Sequence, residues 1–176
     1  MKKQVLTLTF LLLTIGIFAQ TSSFGLSLNS YNKEGKDGFS INANVRVQFT
    51  NMFGWQTEVG HMRSLETITV IEEDETITFN GTETTTTIVE ERDLASFVKT
   101  GLSIKFLEKG GFSAETIIGG GIYRQDRQIF GLLSGELFLS SRVSKNLVIG
   151  IPISFNFITW ERDEFTSVGL SMRYHM

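Results

Sequence analysis

Alternation of apolar and polar residues, the pattern of an extended strand, runs along most of the chain after its first twenty residues. The clearest case is Leu147–Ile158, where every second residue from Leu147 to Phe157 is a large apolar one. The residues between them are Val, Gly, Pro, Ser and Asn. Because successive side chains of a strand point to opposite faces, this run predicts a strand with one apolar face.

Eight such runs predict eight strands. They are Phe24–Tyr31, Phe39–Phe49, Trp55–Phe79, Thr82–Phe106, Phe112–Arg124, Leu132–Ser144, Leu147–Ile158 and Thr166–Met176. The links between them alternate between short ones and longer, more charged ones. The short links are Thr50–Gly54, Leu107–Gly111 and Lys145–Asn146, and the others are Asn32–Asp37, the tip of the third and fourth runs, Gln125–Gly131 and Thr159–Phe165. That asymmetry is typical of transmembrane β-barrels.

The third and fourth runs meet at Asn80-Gly81, the strongest short-range signal for a two-residue hairpin turn. With that turn, residue i faces residue 161−i. The predicted pairs are Trp55 with Phe106, Val59 with Leu102 and Gly60 with Gly101. Paired residues share a face and match in character. The pattern therefore predicts one long hairpin with its tip at Asn80 and Gly81.

The first residues have the layout of a secretory signal peptide: two lysines, an apolar run and then Ala19. We expect residues 1–19 to be the signal and residues 20–176 to form a single barrel domain. The apolar run is short for a membrane-anchoring helix. The chain has no cysteine, so the sequence predicts neither a lipid-modified cysteine nor a disulfide framework.

Charge is unevenly distributed along the chain. The formal net charge is −3, and removal of Lys2 and Lys3 with the signal makes it −5. Between Glu72 and Asp93 there are eight acidic residues against Arg92 alone, a net of −7. Such an acidic surface excludes nucleic acid as a partner. The bland interpretation of this stretch is a solvated hairpin; clustered carboxylates also suit divalent cations, although the spacing is not that of a calcium loop.

The polar face decides which medium the apolar face meets. A soluble lipocalin-like carrier would also have eight alternating strands, with its apolar face inside. Here the polar face carries small residues and charges of both signs, which suits a crowded lumen filled by side chains. Charges with little solvent must be paired. We predict an internal salt-bridge network of Arg46, Glu58, Lys99, Lys105, Glu115, Glu136, Arg142 and Arg173.

Aromatic residues lie near the ends of the apolar face, as in the girdles at the two bilayer interfaces. They are Phe24, Phe39, Phe49, Trp55, Phe106, Phe112, Trp160, Phe165 and Tyr174. On the signal peptide, the eight alternating segments, the link asymmetry and the final strand SVGLSMRYHM, residues 24–176 resemble small bacterial outer-membrane barrels of the OmpA/OmpX type. The chain departs from that pattern in ending at Met176, with Tyr174 the nearest aromatic residue.

The resemblance implies an all-β, eight-stranded, up-and-down transmembrane barrel in the bacterial outer membrane. Its implied partners are outer-membrane lipid and the outer-membrane assembly machinery, with a further extracellular or envelope partner open. We expect no cofactor, no metal site and no catalytic residues. The acidic hairpin then serves surface interaction or envelope integrity.

Three alternatives stay open at this stage. One is the soluble periplasmic carrier, and another is a narrow conducting path along the interior charges. The third is a lipid-modifying enzyme, which needs a histidine, a serine and a carboxylate together. The only histidines are His61, predicted near mid-membrane on the lipid face, and His175, predicted at the periplasmic end. Pro152 removes a ladder donor, so we expect a bulge or a missing hydrogen bond there.

Overall fold

The computed structural model describes residues 21–65, 68–78, 81–91, 94–125, 128–159 and 163–176, which form ten β-strands. The strands are β1 (Thr21–Lys33), β2 (Lys36–Gln48), β3 (Phe53–Ser64), β4 (Ile68–Thr78), β5 (Gly81–Glu91), β6 (Leu94–Lys109), β7 (Phe112–Gln125), β8 (Gln128–Arg142), β9 (Leu147–Ile158) and β10 (Asp163–His175). Eight of them close into one antiparallel barrel in the order β1-β10-β9-β8-β7-β6-β3-β2. The predicted eight-stranded antiparallel barrel is confirmed.

Pairing of the first strand with the last closes the barrel. β1 runs antiparallel to β10 from Ser23 opposite His175 to Lys33 opposite Phe165. Each barrel strand has two hydrogen-bonded neighbours, so the sheet has no open edge and its backbone groups need no water. We call the end where β1 starts and β10 stops the terminal end. The opposite end, where β3 and β6 lead towards β4 and β5, is the hairpin end.

Two long strands of the sequence prediction are each divided in two. β3 ends at Ser64 and β6 begins at Leu94, while β4 and β5 pair with each other as a separate two-stranded sheet. The amide of Leu65 donates to the carbonyl of Asp37 on β2 at 3.0 Å, which ends the β3 ladder against β2. In the part of the chain that the structure describes, no helix has the length and apolar character needed to cross a membrane.

The predicted register of this region is wrong. Trp55 lies opposite Leu102, Val59 opposite Val98, and Gly60 opposite Phe97. In the β4–β5 pair, Thr78 lies opposite Gly81, so Gly81 is a strand residue, and Asn80 lies outside the described residues. The numbers of opposed residues thus sum to 157 in the β3–β6 pair and to 159 in the β4–β5 pair, instead of the predicted 161. The shift in the β3–β6 pair is even, so side chains such as Trp55, Val59 and Val98 keep their predicted faces.

The predicted contrast between short and long links is also wrong for the barrel strands. Only Glu34 and Gly35 separate β1 from β2, and only Gly110 and Gly111 separate β6 from β7, at opposite ends. Glu34 and Gly35 have φ angles of 52° and 82°, the conformation of a tight hairpin turn. The strands continue into polar residues because backbone pairing does not need apolar side chains. Apolar alternation therefore ended the predicted strands too early.

Pro152 interrupts one ladder without shifting it. β9 and β10 pair from Asp163–Ile158 to Val168–Ile153, and again from Ser171–Gly150. The register is unchanged across the gap, which covers Pro152 and its neighbour Ile151. A proline has no N–H to donate. The expected local loss of pairing is confirmed, and no bulge accompanies it on this pair.

Candidate functional site

The outward surface of the barrel is an apolar band. On β9, Ile149 is 38% exposed and Phe155 is 66% exposed, while Val148, Ser154 and Asn156 on the other face of the strand are buried in the lumen. The same division holds on β1, where Leu26 and Leu28 are exposed. A soluble carrier needs the apolar face to line the lumen, and the structure places it on the outside. So large an exposed apolar area requires a nonaqueous neighbour.

Aromatic residues border the band mainly at the terminal end. Five of the predicted girdle residues are exposed there or next to its turns: Phe24, Trp55, Phe106, Phe112 and Tyr174. Phe39 and Phe49 are half-buried, and Trp160 lies outside the described residues. Phe165 is no girdle residue, because it is 3% exposed and points into the lumen. Phe165 and Arg173 are an even number of residues apart on β10, so their side chains point to the same, inward face. This follows once the strand is known to start at Asp163.

Charges border the band at the hairpin end. The outward charged side chains Asp37, Arg63, Arg124 and Glu164 are each one residue in from the hairpin end of their strands. Asp37 accepts a hydrogen bond from the Asn32 side chain at 2.8 Å. The band is thus framed by aromatic side chains at one end and by charges at the other. Such polar ends of an apolar band match the interfaces of a bilayer.

Six of the eight predicted interior charges lie together in the terminal half of the lumen. Glu115 holds two arginines: its Oε1 lies 2.7 Å from Nη1 of Arg173, and its Oε2 contacts Arg46. Lys99 holds two glutamates, with its Nζ 3.0 Å from Glu136 and 3.4 Å from Glu58. Three cations meet three anions, so the buried network is balanced. Balance is required because an unpaired buried charge is costly.

Neutral side chains join the two halves of this network, and the sequence analysis missed them. Gln56 accepts a hydrogen bond from Nη2 of Arg173 at 3.0 Å and donates to Glu58 at 3.2 Å. The amide of Asn42 also donates to Glu58, at 3.0 Å. Both residues are at inward positions of their strands, which is the only sign of them in the sequence. The six buried charges therefore form one connected chain through Gln56.

Lys105 and Arg142 are not part of the buried network. Both lie at the terminal-end mouth, where Nζ of Lys105 is 2.9 Å from Glu108 and Nη2 of Arg142 is 3.6 Å from the same carboxylate. The Arg142 side chain is exposed. A bulge between Lys105 and Leu107 changes the alternation of β6 just before its end. The alternation of apolar and polar residues in the middle of β6 gives no sign of this bulge.

The hairpin half of the lumen is apolar, which the sequence analysis did not predict. Its buried cluster consists of Tyr31, Met62, Ala95, Phe97, Tyr123, Leu132, Ile158 and Phe165, and we call it the plug. The rings of Tyr31 and Phe165 meet edge to face at 6.4 Å between centroids. Glycines make room for the rings: a methyl group on Gly38 would overlap Tyr31, and one on Gly60 would overlap Phe97. Together the plug and the charge network block the lumen between its two ends.

The histidines do not form a catalytic group among the described residues. His61 faces outward nearer the hairpin end than mid-strand, which corrects its predicted mid-membrane level, and its Nδ1 lies 3.0 Å from Oγ of Ser96. Its neighbours on that face are Ile41, Val59, Arg63, Leu94, Val98 and Arg124, none of them acidic. His175 is at the terminal end, opposite Ser23. A hydrolytic triad therefore lacks its carboxylate in this part of the chain.

Metal ligands are not grouped within the described residues: no three of His, Cys, Asp and Glu are placed to hold an ion. Of the acidic stretch between Glu72 and Asp93, the structure gives the backbone pairing of β4 with β5. The predicted hairpin tip at Asn80 lies outside the described residues.

Solved structures resemble this barrel closely in shape and little in sequence. The neisserial surface protein A superposes with a TM-score of 0.63 at 9% identity, covering 88% of this chain and 95% of that one. OprG from Pseudomonas aeruginosa, an outer membrane protein, gives 0.57 at 6% identity, with 90% and 97% covered. The chain has the fold of a small outer-membrane β-barrel.

A third similar structure is Ail, the attachment invasion locus protein of Yersinia pestis. It gives a TM-score of 0.52 at 15% identity and covers 89% of this chain and 97% of that one. No model of a protein family matches the sequence, and no curated protein matches it either. At these identities the likeness concerns the fold alone.

Proposed function

We propose that the chain is a non-enzymatic integral protein of the bacterial outer membrane that presents its β4–β5 hairpin at the cell surface. The observation that carries this proposal is the inversion of the barrel: apolar side chains such as Phe155 are outside, and charges such as Arg173, 2% exposed, are inside. Lipid is the medium in which that arrangement is stable. The signal-like first residues supply the export route.

The two ends of the barrel fit the two sides of that membrane. The terminal end, with both barrel termini, faces the periplasm from which the strands insert. The hairpin end faces outward, so the charged residues Asp37, Arg63, Arg124 and Glu164 meet the outer headgroups. The neighbours of known structure that are named as outer membrane proteins, Ail and OprG, support this location.

The filled lumen argues against a channel. Tyr123, Phe165 and Ile158 occupy the hairpin half, and ion-paired arginines and glutamates occupy the rest. Barrels of eight strands leave little more room than their own side chains take. We expect the purified protein in a planar lipid bilayer to give no stepwise conductance, and steady ion-selective steps would contradict the filled lumen.

The role at the surface follows from the charge of the hairpin. With a net of −7 between Glu72 and Asp93, it attracts cationic surfaces and repels polyanions. Ail, which is named for attachment, has been solved with the heparin analogue sucrose octasulfate. A polyanion of that kind does not suit this hairpin, so we propose binding of a basic protein surface. Maintenance of the envelope is the second role, and loss of detergent resistance in cells lacking residues 68–91 would favour it.

Cell fractionation with protease treatment tests the location and the orientation. Intact cells should lose the hairpin by cleavage near Asn80, while the barrel stays in the membrane fraction. The detergent-solubilised barrel should migrate faster on a gel before heating than after it. Recovery of the chain in the soluble periplasmic fraction would refute the proposal.

An arginine on the apolar band tests the membrane contact directly. Leu170 is 62% exposed near the middle of β10, so Leu170→Arg should lower the free energy of unfolding in lipid vesicles by about 2–4 kcal/mol, because the charge meets hydrocarbon. Val143→Arg is the matched control, since Val143 is an exposed apolar residue in the β8–β9 turn. We expect it to change the stability by less than about 0.5 kcal/mol. Equal effects of both variants would mean that the band does not face lipid.

A further inference from the structure

A polar cavity of about 30 Å³ lies at the terminal-end mouth of the lumen and opens to solvent. Residues from opposite sides of the barrel line it, among them Arg46, Lys105, Glu108, Arg142, Arg173 and His175. It is separate from the apolar band, the plug and the hairpin. The proposed surface role makes no use of it.

The charges around this cavity are not balanced. Arg46, Lys105, Arg142 and Arg173 contribute four positive charges, and the carboxylates that pair with them are Glu108 and Glu115 alone. Two positive charges remain in excess. The Lys99 cluster deeper in the lumen, where one cation meets Glu58 and Glu136, has the opposite excess of one. The positive surplus at the mouth is therefore offset only in part from within the lumen.

Buried hydrogen-bond donors at the same place have no acceptor. Nε and Nη2 of Arg46 and Nε of Arg173 are buried and make no hydrogen bond with any described residue. The Arg46 side chain is only 5% exposed. Leaving a buried donor of a charged group without an acceptor is costly, and native proteins rarely do so. Both arginines line the cavity, and an anion beside them could accept hydrogen bonds from their guanidinium groups.

We propose that this cavity binds a small oxyanion of the sulfate or phosphate class from the periplasmic side. Guanidinium groups present planar N–H forks that match the oxygens of such anions. An anion of this class offsets the positive charge at the mouth and gives the free Arg46 donors an acceptor. The exposed Arg142 and the partly buried Lys105 line its route of entry.

Nuclear magnetic resonance of the folded barrel in detergent micelles tests the site with sulfate as the probe. Sulfate keeps its charge across the pH range in which histidine titrates. His175 lines the cavity, whereas His61 is outside the barrel towards the other end. At constant ionic strength set with sodium chloride, sulfate should raise the pKa of His175 by roughly half a unit to one unit, because a nearby anion favours the charged imidazole. The imidazole resonances of His61 should not respond to sulfate.

Charge-removing variants at the same end separate a site from a general field. Arg142→Gln removes a cation from the cavity, and Lys145→Gln removes one from the neighbouring turn outside it. We expect Arg142→Gln to weaken sulfate binding about threefold to tenfold and Lys145→Gln to change it less than about twofold. Arg46→Lys keeps the charge and removes the free guanidinium donors, so it should abolish most of the binding. Heat-modifiable migration on a gel checks that the Arg46→Lys variant folds. If it does not fold, the comparison of Arg142→Gln with Lys145→Gln tests the proposal instead.

Two results would overturn the proposal. One is an equal response of His175 and His61 to sulfate, or no response of either, because both indicate that no anion is held in the cavity. The other is equal weakening by Arg142→Gln and Lys145→Gln, which indicates attraction to the whole terminal end. Neither result bears on the membrane location or on the hairpin.

Discussion

The two halves of the lumen are built from the same inward-facing positions and are filled in opposite ways. In the hairpin half, Tyr31, Phe97 and Phe165 pack as an ordinary apolar core. In the terminal half, Glu115 pairs with two arginines and Lys99 pairs with two glutamates. The barrel wall is continuous through both halves. The fold therefore does not dictate what fills the lumen.

The difference between the halves lies in how each tolerates a defect. An apolar core loses contact area when a side chain shrinks, and the loss grows with the cavity left behind. A buried ion network loses its balance when one member is neutralised, and the partners left behind stay charged. We therefore expect the terminal half to be intolerant of changes in charge and the hairpin half to be intolerant of changes in volume.

The largest expected effect is the loss of the Glu115 carboxylate. Glu115→Gln is nearly isosteric but leaves Arg46 and Arg173 buried without their common partner. Breaking a buried pair in this way should lower the free energy of unfolding by about 3–5 kcal/mol. Urea unfolding of the barrel in lipid vesicles measures it.

The matched control is Glu108→Gln, which neutralises a largely exposed carboxylate at the mouth of the same half. Exposed ion pairs contribute little, so a change of at most about 1 kcal/mol is expected. A Glu115→Gln variant as stable as the control would mean that the network is screened by solvent, and the contrast between the halves would disappear.

A smaller effect is expected from a volume change in the hairpin half. Gly60 lies opposite Phe97, and an added methyl group would overlap the Phe97 ring and the Asn42 side chain. Gly60→Ala should therefore cost about 1–3 kcal/mol of unfolding free energy, as overpacking of a core does. Adding Phe97→Leu should recover part of that loss, which a double-mutant cycle measures.

The control for this substitution is Gly135→Ala on β8, where an added methyl group meets no atom within 4 Å. It removes backbone freedom of the unfolded chain without a clash, so we expect an unchanged or slightly higher stability. If both glycine variants lose the same stability, backbone effects explain the loss, and the plug is not tightly packed.

The sequence predicted the faces of the strands better than their pairing. Val59 and Trp55 were assigned the wrong partners, yet both are outward as predicted, because the register error is an even number of residues. Alternation fixes the face of a residue within its own strand. It does not fix which residue of the next strand is opposite, which depends on turns and on the shear of the closed barrel.

The contents of the lumen were predictable only in part, for the same reason. The parity of Arg173 and Gln56 places both inward, but their strands, β10 and β3, are not neighbours in the sheet. Contacts across a lumen depend on the closed shape and have no local signature. Phe165 was misassigned because aromatic residues near strand ends were taken for girdle residues without regard to parity. Extending the last strand back to Asp163 would have placed it correctly.

The smallest expected effect contrasts the two rims in their response to pH. In the β1–β2 turn at the hairpin end, a hydrogen bond to Asp163 raises the pKa of the exposed Glu34 carboxyl. Beyond the girdle residue Phe106 at the terminal end, the hydrogen bond from Lys105 lowers the pKa of Glu108. The Glu34 contact is thus fully present below its unfolded-state pKa and is lost as pH rises through its folded-state pKa. The Glu108 contact is present above its unfolded-state pKa and is lost as pH falls through its folded-state pKa.

Acidification should therefore stabilise the β1–β2 turn at the hairpin end and destabilise the β6–β7 turn at the terminal end. Amide hydrogen exchange, corrected for its intrinsic pH dependence, should show more protection of Gly35 and less of Gly110 as the pH falls from about 6 to about 3, the range of carboxyl titration. Both effects are small because both carboxyls are exposed to solvent. Glu34→Gln should abolish the change at Gly35 and leave that at Gly110. Changes of the same sign at both turns would show that the rims respond to net charge alone, because a uniform charge effect cannot act oppositely at the two ends.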